Sequence, residues 1–131
     1  MMEQIFFKKP VVDERILSLE SAEAEEDTTR EEKILCRNCH SFITEKENEI
    51  KINNTDFHLF QNPMGVYFRV VCFSYAEGCS IISDYTDEHT WFSGFSWAIV
   101  LCRVCHSHLG WHYVSPESSF FGLIADRLTG I

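Results

Sequence analysis

The sequence predicts an all-β domain over residues 34–131, preceded by an acidic segment over residues 1–33. Three observations carry that expectation. From Ile34 onward, short runs of β-branched and aromatic residues recur at close spacing, with Gly, Pro and Asn clusters between them. Two Cys-x-x-Cys pairs stand near the two ends of that region. Upstream, residues 13–32, DERILSLESAEAEEDTTREE, hold nine of the chain's twenty acidic residues and neither an aromatic nor a glycine.

Residues 1–33 carry ten acids against five bases and show no apolar periodicity, so they read as a solvated, disordered tail with helical tendency around Arg15 to Glu26. The strand candidates then follow in order. EIKI (49–52) runs into the turn cluster NNTD, and FHLF (57–60) runs into QNPMG. VYFRVVCF (66–73) is the strongest strand signal in the chain. CSII (79–82), WAIVL (97–101), LGWHYV (109–114) and FFGLIA (120–125) complete the set. Within WFSGFSW, Ser93-Gly94 reads as a hairpin turn that puts Trp91 and Trp97 on opposite arms. Trp111 and Tyr113, two residues apart on one strand, point to the same face.

Composition bounds the function. The chain has 131 residues, 45% hydrophobic and 14% aromatic, which is enough for a core in one domain. A net charge of -9 argues against a nucleic-acid partner, because phosphate binding needs a basic face. No run approaches the ~20 apolar residues that span a bilayer. The start, MMEQIFFKKP, has its lysines after the apolar residues, the reverse of a secretory signal. These features predict a cytoplasmic protein with no membrane partner. In such a reducing compartment Cys-x-x-Cys pairs read as metal ligands before disulfides.

The pairs are Cys36/Cys39 in CRNC and Cys102/Cys105 in CRVC. Two such knuckles make a tetrahedral four-thiolate site for one structural Zn2+. Here 62 residues separate Cys39 from Cys102, against roughly 15–20 in a common ribbon. The ion would therefore join two distant hairpins. Cys72, inside the strongest strand, reads as a small buried hydrophobe, and Cys79 lies near a turn. With four cysteines completing the tetrahedron, His106 and His108 read as ordinary polar residues.

All three tryptophans, Trp91, Trp97 and Trp111, lie within 21 residues around the second knuckle. A buried indole needs a partner for its N–H, so three of them are an uneconomical way to fill a core. An open aromatic cage for a small flat or cationic ligand suits the cluster better.

The stretch EHTWFSGFSWAIVLCRVCHSHLGWHY, with CRNC and NPMG upstream and FFGLIADRL at the end, resembles the thalidomide-binding CULT domain of the cereblon family, most closely its short single-domain bacterial members. The resemblance covers about residues 34–128. It implies a β-tent, two antiparallel sheets meeting at a steep angle and pinned by zinc. It implies a cage of Trp91, Trp97 and Trp111 with Tyr113 at its floor. That cage would hold glutarimide, thalidomide-type imides, uridine or other uracil-like rings, or protein C-termini cyclised to imides. By the same resemblance His89 and the backbone near Trp91 bond the imide edge, Asn62 and Pro63 belong to the covering loop, and Glu88 is a rim acid. Cereblon's Lon-like domain and ligase-adaptor segment have no counterpart in the sequence as read, so no ubiquitin-ligase role is implied. Two other functions compete. A methylammonium reader would use the cage for cation–π attraction, with Glu88 adding charge complementarity. A methionine sulfoxide reductase of the B type shares the zinc knuckles, but it needs a cysteine near the C-terminus, and none follows Cys105. The reading is a binding module and not an enzyme.

Overall fold

The structure is a computed structural model that describes residues 32–131, so the expectation of a disordered tail falls almost wholly outside the described residues. Among the described residues, ten strands follow one another: β1 (Lys33–Cys36), β2 (Phe42–Glu45), β3 (Glu49–Ile50), β4 (His58–Gln61), β5 (Tyr67–Phe73), β6 (Cys79–Ile81), β7 (Ser96–Cys102), β8 (His108–Val114), β9 (Ser119–Ile124) and β10 (Leu128–Thr129). Two 3-10 turns, Lys46–Asn48 and Ala125–Arg127, are the only helical elements among these residues. The expected all-β architecture of two antiparallel sheets is present. One sheet has the order β10-β1-β2, and the other has β3-β5-β9-β8-β7-β6 with β4 paired to β5.

Each strand expected from its side-chain pattern forms, with shifted ends. EIKI shortens to Glu49–Ile50, because Asn53 and Asn54 take left-handed backbone and Ile52 instead bridges Thr55. The small sheet, by contrast, is built from runs outside that set. KILC and FITE pair across the first knuckle, and Leu128–Thr129 returns from the far end of the chain to pair with β1.

The pleat of the large sheet divides the core in two. On one face Val71, Phe73, Val100, Cys102, Phe121 and Leu123 pack against Ile34, Cys36 and Ile43 of the small sheet. On the other face Val70, Cys72, Trp111, Tyr113, Phe120 and Ile124 pack with Phe92. Strand β8 breaks its own alternation: Leu109 belongs to the first cluster, while Trp111 and Tyr113, of the same parity, belong to the second. The cause is a register shift, with Gly110 opposite Val100 but His108 opposite Leu101, so Leu109 is an extra residue. A bulge of this kind re-aims the residues beyond it. Gly110 lets the bulge pass β9 closely, since a Cβ there would lie 2.2 Å from the Gly122 carbonyl oxygen.

Candidate functional site

The candidate metal centre is built from two matching loops. In the first, the Cys36 N–H donates to the Ser41 carbonyl (2.9 Å), the His40 N–H donates to the Cys36 carbonyl (2.7 Å), and His40 takes a left-handed φ of 66°. In the second, Cys102 donates to Ser107 (2.8 Å), His106 donates to Cys102 (2.9 Å), and His106 has the same φ of 66°. The shared pattern C-R-x-C-H-S thus encodes two copies of one turn, and His106 is an exposed turn residue. The four Sγ atoms of Cys36, Cys39, Cys102 and Cys105 lie within 4.8 Å of one another. Cys36 is 3.7 Å from Cys105, and Cys39 is 3.6 Å from Cys102. A tetrahedron with metal–sulfur bonds of about 2.3 Å has edges of about 3.8 Å. The thiols therefore already stand at metal-site spacing and can hold an ion. Side-chain hydrogen bonding from Asn38, then Ser107, draws the Cys105 thiol down to about 5, while burial pushes Cys36 up to about 12.

The aromatic site forms on the opposite face of the large sheet. Trp97 stands across from Tyr113 and Ile99 across from Trp111, so both tryptophans of the β7–β8 ladder share one face. Trp91 arrives from the irregular segment before β7 and meets Trp111 edge to face, with centroids 5.0 Å apart and planes at 79°. The Trp97 indole Nε1–H donates to the Glu88 backbone carbonyl (2.8 Å), which ties segment 86–91 to the sheet. The Ser93-Gly94 turn is present, closed by Phe95 N–H to the Phe92 carbonyl (3.0 Å), with Gly94 at φ 88°. It is not a strand hairpin, however. Trp91 lies outside any strand, and Trp97 bridges Thr86 on that side.

The other proposed contact residues are placed as follows. Tyr113 is buried beneath the cluster against Phe92 (4.8 Å) and Phe120 (5.1 Å), and burial raises its phenol's pKa. Asn62 spends its side-chain oxygen inside its own turn, accepting from the Met64 and Val66 N–H groups (3.0 and 2.9 Å). Pro63 and His89 are exposed, and His89 has a left-handed φ of 56°. Glu88 reaches the cluster through its backbone carbonyl, and its residue is exposed.

Two residues of the site, Phe60 and Phe68, have no assigned role in the sequence reading, and a third, His108, reads there only as an ordinary polar residue. Phe60 of β4 stacks on Trp91 (4.7 Å, 12°), and its cross-strand partner Phe68 of β5 meets Trp91 (6.1 Å) and Trp111 (5.5 Å). His108, bonded through its ring Nε2 to the Gly110 carbonyl (3.1 Å), packs its ring on Trp111 at 5.1 Å. The alternation HLF in FHLF was the available signal for Phe60. Which face of that hairpin meets Trp91 depends on register across the sheet.

No protein-family model matches the chain. Among curated proteins, it is 30% identical to protein cereblon of Xenopus tropicalis over 109 residues, 72% of this chain and 23% of that protein. Against protein cereblon of Gallus gallus it is 28% identical over 109 residues, again 72% and 23%. A 43-residue stretch is 44% identical to protein cereblon of Drosophila willistoni, covering 29% of this chain and 7% of that protein. The chain spans about a quarter of the length of the vertebrate relatives it matches. Among solved structures, the fold is similar to the Mis18 "Yippee-like" domain, with a TM-score of 0.52 at 10% identity over 74% of this chain and 91% of that one.

Proposed function

Because the chain belongs to the cereblon family through its CULT domain, we propose that it is a binding module whose Trp91, Trp97 and Trp111 hold a cyclic imide or a uracil-like ring. Protein C-termini cyclised to imides belong to the same ligand class. The observation that carries the reading is the perpendicular pair Trp91–Trp111 on the sheet face that also bears Trp97. Two perpendicular indoles make a corner, and Trp97 on the same sheet face would supply a third wall. A cyclic imide has an apolar methylene edge suited to indole faces and a polar C=O/N–H/C=O edge that needs partners. Leaving one such polar group unpaired in a dry site costs about 1–3 kcal/mol. The irregular segment 87–91 runs beside the aromatic cluster, held there by the Glu88 carbonyl, with His89 in a left-handed conformation of the kind that clusters at ligand clamps. A ligand of about eight heavy atoms then gains about -6 to -8 kcal/mol, within the per-atom ceiling for small ligands.

The metal in this reading is one structural Zn2+ on Cys36, Cys39, Cys102 and Cys105. When bound it clips β1 to β7, and so holds the small sheet onto the strand that carries Trp97. The second reading, a methylammonium reader, is supported by Glu88, whose backbone touches Trp97 and whose exposed carboxylate sits on the same residue. Titrating the intrinsic tryptophan emission with uridine, glutarimide and trimethyllysine separates the two. Saturable response to the two neutral rings supports the imide reading. A response to trimethyllysine alone overturns it.

A further inference from the structure

Cys79 is a fifth cysteine at the edge of the four-cysteine cluster. It is 7% exposed and shares a core with Cys36 and Cys102. Strand β6 pairs antiparallel with β7, and Cys79 stands directly opposite Cys102. The two residues do not spend their N–H groups on each other. Cys79 donates to the Ala76 carbonyl (3.2 Å), Cys102 donates to Ser107 (2.8 Å), and Arg103, one residue on, donates to Gly78 (2.8 Å). This is the non-hydrogen-bonded kind of antiparallel pair, in which facing Cα atoms stand about 4.5 Å apart and the side chains are closest. That separation lies within the roughly 4.4–6.8 Å that a disulfide spans. Cys72, the other cysteine outside the cluster, packs on the opposite face of the sheet and has no such neighbour. The position is held from behind: Gly78 passes so close to β2 that a Cβ on it would lie 2.1 Å from the Phe42 carbonyl oxygen.

We propose that Cys79 and Cys102 are an oxidative modification site, joined by an intrachain disulfide when the chain meets a peroxide. This rests on the metal reading only for its consequence, the loss of one zinc ligand. The oxidant enters past Cys39 and Cys105, which are half-buried where Cys102 is fully buried. The Cys102 thiolate attacks a peroxide oxygen, the O–O bond breaks, and the products are a sulfenic acid and hydroxide. The Cys79 thiol then attacks the Cys102 sulfur. The S–S bond forms, the S–O bond breaks, and the departing oxygen leaves as water with the Cys79 proton. Two electrons pass from the two sulfurs to the peroxide. Three thiolates remain for the ion, and a dithiol reductant restores the fourth.

The test uses the full chain loaded with zinc and treated with dilute hydrogen peroxide. Free thiols are then alkylated and the protein is digested with chymotrypsin. Trypsin is unsuitable, because no Lys or Arg lies between Cys79 and Cys102, whereas Tyr85, Trp91 and Phe92 do. The expected result is a cross-linked peptide pair joined through Cys79 and Cys102, lighter by two hydrogens than its parts, with zinc released to a chromogenic chelator and rebound after dithiothreitol. Cys79→Ala and Cys79→Ser should lose the cross-link and release zinc more slowly at the same dose. Recovery of Cys79 as an alkylated free thiol while zinc leaves would overturn the proposal, as would equal release from the variants. Zinc content measured before oxidation tests the metal reading separately. A metal-free chain that still forms the bond supports the site and severs its link to zinc.

Discussion

Stripping a metal from the four cysteines should destabilise the domain by an amount set by the loop the ion closes. An ion held by all four cysteines would join the knuckle at Cys36/Cys39 to the one at Cys102/Cys105, closing a loop of about 64 residues between Cys39 and Cys102. Applying the chain-entropy relation for a covalent cross-link to a loop of about 64 residues gives about 4 kcal/mol at 25 °C. A domain of this size has only about 5–15 kcal/mol in total. Losing about 4 kcal/mol lowers the melting temperature by roughly 15–30 °C at about 4–8 °C per kcal/mol. The small sheet should loosen first, because β1 and β2 flank the first knuckle and β10 pairs only with β1. The assay is thermal unfolding followed by circular dichroism, before and after a strong chelator, with metal content measured on the same samples. A chelated, metal-free chain that melts within a few degrees of the loaded one would refute the reasoning.

Gly110→Ala should cost more than about 3 kcal/mol in urea unfolding, because the new Cβ would meet the Gly122 carbonyl oxygen at 2.2 Å and force β8 away from β9 beside Trp111. Phe60→Ala should cost about 2 kcal/mol, less than the 3–5 of a fully buried Phe, and should shift the tryptophan emission because Trp91 loses its stacking partner. The domain should also weaken in acid. His58 stacks on Phe60 with a buried Nε2 that has no hydrogen-bond partner, and burial lowers its pKa. The unfolded chain then takes up the proton first, so stability is full above the unfolded value of about 6.5 and is lost as pH falls toward the depressed folded value. His58→Phe should flatten that loss in urea unfolding compared at pH 7 and pH 5, and an unchanged slope would contradict it.

The parts of the site legible in the sequence were those written in local spacing. Two residues between cysteines let both thiols of a knuckle face one ion, so all four ligands follow from the motif, and their Sγ atoms converge. The strand runs VYFRVVCF and WAIVL form because their β-branched and aromatic residues fit a pleated surface, buried on both faces from Val70 to Phe73 and alternately buried and half-buried along Trp97 to Leu101. What stayed hidden depends on pairing between distant residues. KILC and FITE are four-residue runs of mixed polarity, and their third strand, Leu128–Thr129, comes from the other end of the domain. The extra residue at Leu109, which aims Trp111 at the face that bears Trp97, appears only as a shift in register against β7. Phe92, next to the Ser93-Gly94 turn, has no core signal in its local spacing, yet it is 3% exposed and packs beneath the cluster against Tyr113 and Phe120.

The most direct test of the cage is to titrate the protein with a cyclic imide and with its N-methyl derivative, at low and high salt, reading tryptophan emission. All three tryptophans belong to the one aromatic cluster, so the signal reports on that site. The free imide should bind saturably in the micromolar to millimolar range, with affinity nearly unchanged by salt because the contacts are neutral. The N-methyl derivative should not bind, since it lacks the N–H donor and adds bulk at the polar edge. Equal behaviour of the two imides, together with salt-sensitive binding of trimethyllysine that weakens in Glu88→Gln, would contradict the account.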